Sequence, residues 1–297
     1  MSQILVAPPT KSYFHRVRNI LPSRKHTHMN AANVHKLVSE TFAIEAEAAR
    51  RAGALGFMAR ALVLTTMPHR AVQGNEFTRT NGAFTLSMLA PSKVGLPYGT
   101  IPRLLTAWLT TEAVRTKERQ LPLGDSLSDF MRQLEMVPTG GRWGSITRLR
   151  DQTRRLFTTS VSCFYEEEGF EGEAGFRLAD EHVLWWDPKS PNQTNLFESF
   201  VTLSEPFFEE LIQHPVPVDK RALKALRKSP LALDIYCWLT YRMSYLNKPT
   251  EIMWPALQVQ FGSDYATDSV GVRNFKKAFL KRLTAVCLVY PEADGYS

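Results

Sequence analysis

The segment from Gly144 to Phe157, GSITRLRDQTRRLF, constrains the fold more than any other stretch of this chain. At about 100° per residue, its apolar side chains and Thr153 fall in one arc of a helix. The opposite arc carries the arginines together with Asp151 and Gln152. This segregation predicts an amphipathic helix that buries one face and presents a cationic one. A cationic face is typical either of plain solvation or of contact with a polyanion, and the neighbouring elements bear on that choice.

Two predicted helices precede the arginine helix. They cover residues 98–116 and 124–134. In the shorter one, Ser126 is the expected N-cap and Asp129 completes a capping box. A tight glycine-containing turn then leads to Ser145, which we expect to cap the arginine helix.

A predicted hairpin follows the arginine helix, with strands over residues 158–166 and 175–186 that are rich in β-branched and aromatic residues. The loop between them, residues 166–173, holds five glutamates. Phosphate would repel these side chains, so we expect the loop to be solvated or to face a protein. Helix, short helix, basic helix and hairpin, in that order, are typical of a winged helix-turn-helix domain.

The same order of elements recurs after a turn-rich break from Asp187 to Asn195. Helices are predicted over residues 229–246, 250–262 and 269–283, followed by a strand over residues 285–290. In the third of these helices, Arg273, Lys277 and Lys281 form one i, i+4 row opposite the apolar stripe. The third helix is therefore the cationic one in both units. The sequence ends soon after the predicted strand, so we expect a truncated second wing.

These patterns predict an α+β fold with two tandem winged-helix (helix-turn-helix) domains. An N-terminal helix over residues 33–51 and a hairpin around Asn81 and Gly82 precede them. The predicted divisions are a flexible N-terminal arm at 1–30, a first winged-helix domain with the N-terminal helix and hairpin at 31–195, and a second winged-helix domain at 196–297.

Composition excludes several classes of protein. Hydrophobic residues make up 44% of the chain, which favours a packed core over disorder. The three cysteines are far apart and lack any CxxC spacing, which argues against a disulfide framework or a zinc site. The most apolar stretch contains Asp234 and Arg242, so a buried helix is favoured over a membrane span. We expect a soluble cytoplasmic protein with no membrane contact.

A helix of this kind fits the major groove of duplex DNA, where Arg and Lys pair with phosphates and Arg can bind guanine. The chain carries 36 Lys and Arg against 29 Asp and Glu. One basic helix alone is most often a solvated face, but two at equivalent positions favour double-stranded DNA. The candidate DNA-binding residues are Ser145, Thr147, Arg148, Arg150, Gln152, Arg154, Arg155, Arg273, Asn274, Lys276, Lys277 and Lys281. Because arginine dominates the first set, we expect base contacts there and mainly phosphate contacts, with Asn274 as a base reader, in the second.

Other motifs are weak. His26 and His28 flank Thr27 in a pattern that superficially resembles the metal motif of nicking enzymes, but the middle residue there should be apolar and lie on a strand. No P-loop, HExxH or GxSxG pattern occurs. His182 and His214 are isolated and are expected to have a structural or surface role. We therefore expect a protein that is not an enzyme and that has no catalytic residue, no metal and no cofactor.

Three runs of sequence resemble the plasmid-encoded RepA replication initiator family of Gram-negative bacteria. They are GLPYGTIPRLLTAWLTTEAVRT, LPLGDSLSDFMRQL and GGRWGSITRLRDQTRRLF. The resemblance spans about residues 57–290 and is densest from Gly95 to Phe157. It implies an initiator that binds repeated origin sequences, helps to open the duplex and recruits host replication proteins such as helicase and initiator. It also implies two winged-helix domains and self-association between monomer and dimer.

The leading hypothesis is therefore a plasmid replication initiator that binds origin repeats and promotes origin opening. The alternative on the same fold is a sequence-specific transcriptional repressor of a plasmid gene without initiator activity. A nicking or priming enzyme is a third hypothesis, and it rests on the histidine pair alone.

Overall fold

The computed structural model describes residues 3–6, 54–167, 170–184, 190–193, 199–246, 250–262 and 265–290. The helices of these residues are α1 (Arg60–Leu64), α2 (Thr100–Thr116), α3 (Leu127–Gln133), α4 (Ser145–Thr158), α5 (Glu205–Gln213), α6 (Lys220–Leu226), α7 (Pro230–Tyr245), α8 (Trp254–Phe261) and α9 (Ser269–Val289). Among them, no helix is both long enough and apolar enough to cross a membrane. The predicted helix at 33–51, the histidine pair and most of the predicted arm lie outside the described residues.

Strands of the described residues form four small antiparallel sheets. The strands are β1 (Gln3–Val6), β2 (Leu55–Ala59), β3 (Glu76–Asn81), β4 (Phe84–Leu89), β5 (Gln120–Pro122), β6 (Ser160–Glu167), β7 (Phe170–Arg177), β8 (Ala179–Val183), β9 (Phe200–Leu203), β10 (Pro215–Asp219) and β11 (Thr250–Met253). The sheets have the orders β3-β4-β6-β7, β5-β9-β8, β2-β10 and β1-β11. The predicted hairpin is confirmed, with β3 and β4 joined at Gly82, whose positive φ of 60° suits glycine.

The apolar side chains divide into two buried clusters. The first lies among α2 to α5 and the sheets beside them, and its largest fully buried residues include Phe130, Phe157 and Phe207. The second lies among α6 to α9, where the rings of Phe261 and Phe279 stand 5.6 Å apart. The change from one cluster to the other falls between residues 211 and 216, beyond the predicted boundary at 195.

Two structural features join the clusters. Strand β2 contributes Ala59 to the first cluster and Met58 to the second, and it pairs along its whole length with β10, which packs in the second. Helix α2 contributes to both, because Leu105 lies in the first cluster and Ala107 in the second. The two halves of the described chain therefore share both a strand ladder and a helix.

Three helices occur in the predicted order in both halves, as α2-α3-α4 and α7-α8-α9. The helix predicted at 250–262 was wrong at its start, because residues 250–253 form β11, which pairs with β1. Ser126 caps α3 as predicted, since its Oγ accepts from the backbone N–H of Asp129 and donates to that residue's carboxylate at 2.7 Å. Ser229 caps α7 in the same way, with Pro230 in the first turn.

The predicted hairpin after the arginine helix is present as β6 and β7, but its bounds differ from the prediction. Residues 166 and 171 are register partners in the β6–β7 ladder, so the strands extend into the predicted acidic loop. Strand β6 pairs on its other side with β4. The predicted second strand is broken at Leu178 into β7 and β8, which belong to different sheets. The hairpin β6-β7 thus completes the four-stranded sheet.

The predicted strand at residues 285–290 was also wrong, because α9 continues to Val289. The reason is visible in the spacing of its buried residues. Phe275, Phe279, Leu283 and Val286 are buried at helical intervals. The apolar run that suggests a strand therefore continues the stripe of the preceding helix.

Candidate nucleic-acid interface

Helix α4 has the amphipathic character that the sequence predicts. Ile146, Leu149, Leu156 and Phe157 are buried in the first cluster. On the other face, the side chains of Thr147, Arg148, Arg150 and Arg154 are exposed. Of the four arginines on this helix, Arg155 is the one that pairs with a described acid. The remaining three leave a cationic face open to solvent.

The side chain of Arg155 is held by contacts within the protein. Its Nε donates to the carboxylate of Asp151 at 2.8 Å, and its Nη1 donates to the carbonyl of Leu96 at 3.3 Å. Its guanidinium carbon also lies 5.6 Å from the ring centroid of Tyr98. These contacts fix α4 to the segment before α2 and leave Arg155 half-buried, so its predicted contact with DNA stays a prediction.

Gln152 is buried, although the helical projection places it in the polar arc. Its Oε1 accepts from the backbone N–H of Tyr98 at 2.8 Å, and its Nε2 donates to Asp151 at 3.1 Å. The segment at residues 96–98 covers this part of the helix, and a projection of one helix cannot anticipate that cover. Gln152 therefore satisfies a backbone donor and is not presented to a ligand.

Ser145 is not the cap of α4, because Gly144 occupies that position. The Ser145 hydroxyl is buried, donates to the carbonyl of Val137 at 2.6 Å and accepts from the backbone N–H of Thr139 at 2.8 Å. It ties the turn between α3 and α4 to the start of α4. The side chain is occupied within the protein and is not available to DNA.

A groove runs beside the exposed face of α4. It has a volume of about 560 Å³ and is lined from α4 by Arg150, Arg154 and Thr158 and from the β8 side by His182. Burial lowers the pKa of His182, and the nearby Arg177 and Arg154 lower it further. The guanidinium groups of Arg150 and Arg154 give this groove its positive charge, the imidazole is neutral near pH 7 because its pKa is lowered, and Asp151 adds one carboxylate to the lining. The sequence predicts only a structural or surface role for His182.

Helix α9 presents the second cationic face. Arg273, Asn274, Lys277 and Lys281 are exposed. Lys276 is half-buried, with its ammonium nitrogen 5.2 Å from the centroid of a Trp254 ring. The first four are accessible as predicted, whereas Lys276 is partly committed to packing on α8.

The turn before α4 carries exposed residues that the sequence patterns did not identify. Trp143 is 80% exposed and Val137 is 73% exposed. The guanidinium carbon of Arg142 lies 5.1 Å from the Trp143 ring centroid. An aromatic residue next to an arginine in an otherwise polar turn is the one sequence signal that could have indicated this site.

No metal centre is evident in the described ranges, where no group of three or more His, Cys, Asp or Glu is arranged to hold an ion. The cysteines at 163, 237 and 287 are not paired in disulfides.

The fold is similar to that of domains 2 and 3 of RctB. A crystal structure of selenomethionine derivatives of those domains has a TM-score of 0.51 and 13% identity, covering 75% of this chain and 83% of that chain. A second crystal structure of RctB domains 2–3 has a TM-score of 0.48 and 14% identity, covering 75% of this chain and 82% of that chain. At such identities the likeness concerns the fold alone. A search of curated protein sequences found no match.

The family described as "Plasmid encoded RepA protein" matches residues 96–254. This range runs from the start of α2 through β11 and includes the arginine helix. It covers more than half of the chain and confirms the resemblance predicted from the sequence. The chain belongs to the family of plasmid-encoded RepA proteins.

Proposed function

We propose that this protein is a plasmid replication initiator that binds repeated origin sequences in double-stranded DNA through the exposed faces of α4 and α9. The observation that carries the proposal is the set of exposed arginines at 148, 150 and 154, which lie on one helix and have no described acid as a partner. Membership of the plasmid-encoded RepA family supports a role in plasmid replication.

The arrangement around α4 supports a winged-helix mode of binding. Helices α2, α3 and α4 precede β8 and β9, and β5 from between α2 and α3 joins those strands in the order β5-β9-β8. In this proposal that three-stranded sheet takes the place of the wing, and α4 enters the major groove. The groove between α4 and His182 would then face the DNA backbone.

The arginines of α4 would contribute both charge and recognition. Each arginine that neutralises a phosphate releases condensed counterions, so binding should weaken with salt by a slope of about −0.9 per phosphate. An arginine that reaches a base edge can donate two hydrogen bonds to guanine. The lysines at 277 and 281 on α9 lack that fork and are proposed to act on phosphates, with Asn274 as a base reader.

The double substitution Arg150→Ala with Arg154→Ala tests this assignment. We expect affinity for an origin repeat to fall at least about tenfold and the salt slope to lose about two units. The matched control is Arg115→Ala with Arg221→Ala, since these arginines are 67% and 65% exposed but lie on α2 and α6. Equal affinities for the two double variants in a fluorescence anisotropy titration would refute the role of α4.

Initiation is distinguished from repression by supplying the protein in trans to a plasmid that carries only the origin. An initiator establishes that plasmid, whereas a repressor with the same fold does not.

We propose further that the protein works in the bacterial cytoplasm without enzymatic activity, that it self-associates, and that it recruits host helicase and initiator proteins. Incubation with supercoiled plasmid and a divalent metal ion addresses the nicking hypothesis, because nicking would convert the plasmid to relaxed circles.

A further inference from the structure

The turn between α3 and α4 presents a large apolar ring to solvent from a well-fixed backbone. Trp143 is 80% exposed, and it immediately precedes Gly144, the N-cap of α4. An exposed tryptophan leaves much apolar area in water, which disfavours this arrangement unless a partner covers the ring. Its position at the tip of the arginine helix limits what that partner can be.

The backbone of the turn is held by side chains at the start of α4. Ser145 donates to the carbonyl of Val137, and Thr147 donates to the carbonyl of Gly141 at 2.9 Å. The backbone N–H of Ser145 in turn donates to Thr139 Oγ1 at 2.8 Å. Because these bonds fix the turn, Trp143 is pre-organised and little backbone entropy is lost when it binds.

The charge around Trp143 favours a polyanion over a neutral protein surface. The guanidinium of Arg142 stands over the ring, with its carbon 5.1 Å from the centroid. Arg148 is exposed one turn into α4, and the N-terminal end of a helix itself attracts anions. An apolar ring with one arginine over it and a second exposed on the following helix is therefore suited to a surface that is negative overall but has an apolar group.

We propose that Trp143 is a sequence-reading residue that packs on a thymine methyl group in the major groove. Residues at the N-terminal end of a major-groove helix are the ones that reach base edges. The thymine C5-methyl is the apolar group that the bases present in that groove. This inference rests on the proposed function, since it requires α4 to enter the groove.

The test compares two probes that differ only in the methyl group. One is a duplex that the wild-type protein selects from a randomised library, and the other is the same duplex with uracil in place of every thymine. We expect wild-type affinity to fall about fivefold on the uracil duplex. Trp143→Ala should bind the thymine duplex about tenfold more weakly than wild type, with an unchanged salt slope, and should not distinguish the two duplexes.

Two further variants guard the interpretation. Trp143→Phe retains an apolar ring and should recover most of the preference for thymine. Leu288→Ala removes an equally exposed apolar side chain, 80% exposed on the last turn of α9, and should bind both duplexes as wild type does. Circular dichroism melts should match for all variants, because neither side chain is buried.

The outcomes separate this inference from the proposed function. Wild-type affinity of Trp143→Ala for the thymine duplex would overturn the inference while leaving DNA binding intact. Equal losses on both duplexes would overturn the thymine assignment. If the randomised library yielded no enriched duplex, the proposed function and the inference would both fail.

Discussion

The guanidinium of Arg103 on α2 donates to both carboxylate oxygens of Asp234 on α7, at 2.6 and 2.7 Å. Both side chains are buried, with relative exposures of 2% and 8%. The remaining donors of Arg103 are used by the backbone carbonyls of Met67, Pro68 and Gly99. A fully hydrogen-bonded ion pair thus spans the boundary between the two buried clusters.

Replacement of Asp234 by alanine should destabilise the protein strongly. The substitution leaves the Arg103 cation buried without its counter-charge, which costs about 3–5 kcal/mol in the free energy of unfolding. The matched control is Asp180→Ala, which breaks the 2.7 Å pair with Arg119 at an exposed site and should cost less than about 1 kcal/mol. Urea titrations of the three proteins measure both differences, and similar midpoints for the two variants would contradict the prediction.

Acid pH should weaken the fold in two stages. His69 Nε2 lies 2.7 Å from Asp234 Oδ2. Burial lowers the pKa of His69, and Arg103 and Arg79 lower it further, although Asp234 acts to raise it. The unfolded state therefore takes up a proton first, so stability falls as the pH drops below about 6.5. Burial alone would raise the pKa of Asp234, but Arg103 and His69 hold it below its usual value. The stability that ionised Asp234 contributes is therefore present above about pH 4 and is lost below that.

The His69 stage is measured by urea titrations at several pH values between 7 and 5. His69→Gln keeps a donor toward Asp234 but cannot take up a proton, so its stability should change less with pH over this range. His182, whose pKa is also lowered, supplies a comparison through His182→Gln. Identical slopes for wild type and His69→Gln would show that His69 is not the titrating group.

Gln152→Ala should act on stability and not on the choice of DNA sequence. The substitution removes the acceptor of the Tyr98 backbone N–H and leaves that half-buried donor without a partner, which costs about 1 kcal/mol. Asp180→Ala, at an exposed site away from α4, is the control for a general effect of substitution. A changed base preference in Gln152→Ala, with unchanged thermal stability, would restore Gln152 as a reader.

Gly144→Ala should disrupt the start of α4. A Cβ at this position would lie 2.2 Å from the carbonyl oxygen of Thr139 and 2.3 Å from that of Gly140, so the backbone of the turn must move. Gly140→Ala is a suitable control, because no atom lies within 4 Å of its added Cβ. We expect a lower melting temperature and weaker DNA binding in the first variant alone, as measured by calorimetry and by anisotropy.

The sequence predicted well whatever depends on one element at a time. The amphipathic helices α4 and α9, the cap at Ser126 and the turn at Gly82 each follow from local spacing and local chemistry. Packing between elements decided the rest. Gln152 is covered by a segment some fifty residues earlier in the chain, and β6, whose ladder with β7 includes residues 166 and 171, also pairs with the distant strand β4. No pattern within either segment contains that information.

The shared ladder of β2 and β10 has a consequence for the spacing of the two DNA segments that the protein would contact. Since the ladder and the Arg103–Asp234 pair both connect the two halves, we expect the distance between α4 and α9 to be fixed. Inserting about five base pairs between the two contacted segments would turn one of them by half a helical repeat, out of reach of its helix. Such an insertion should abolish simultaneous contact of both helices with the DNA. An insertion of a full turn of about ten base pairs should not restore it, because the distance between α4 and α9 is fixed.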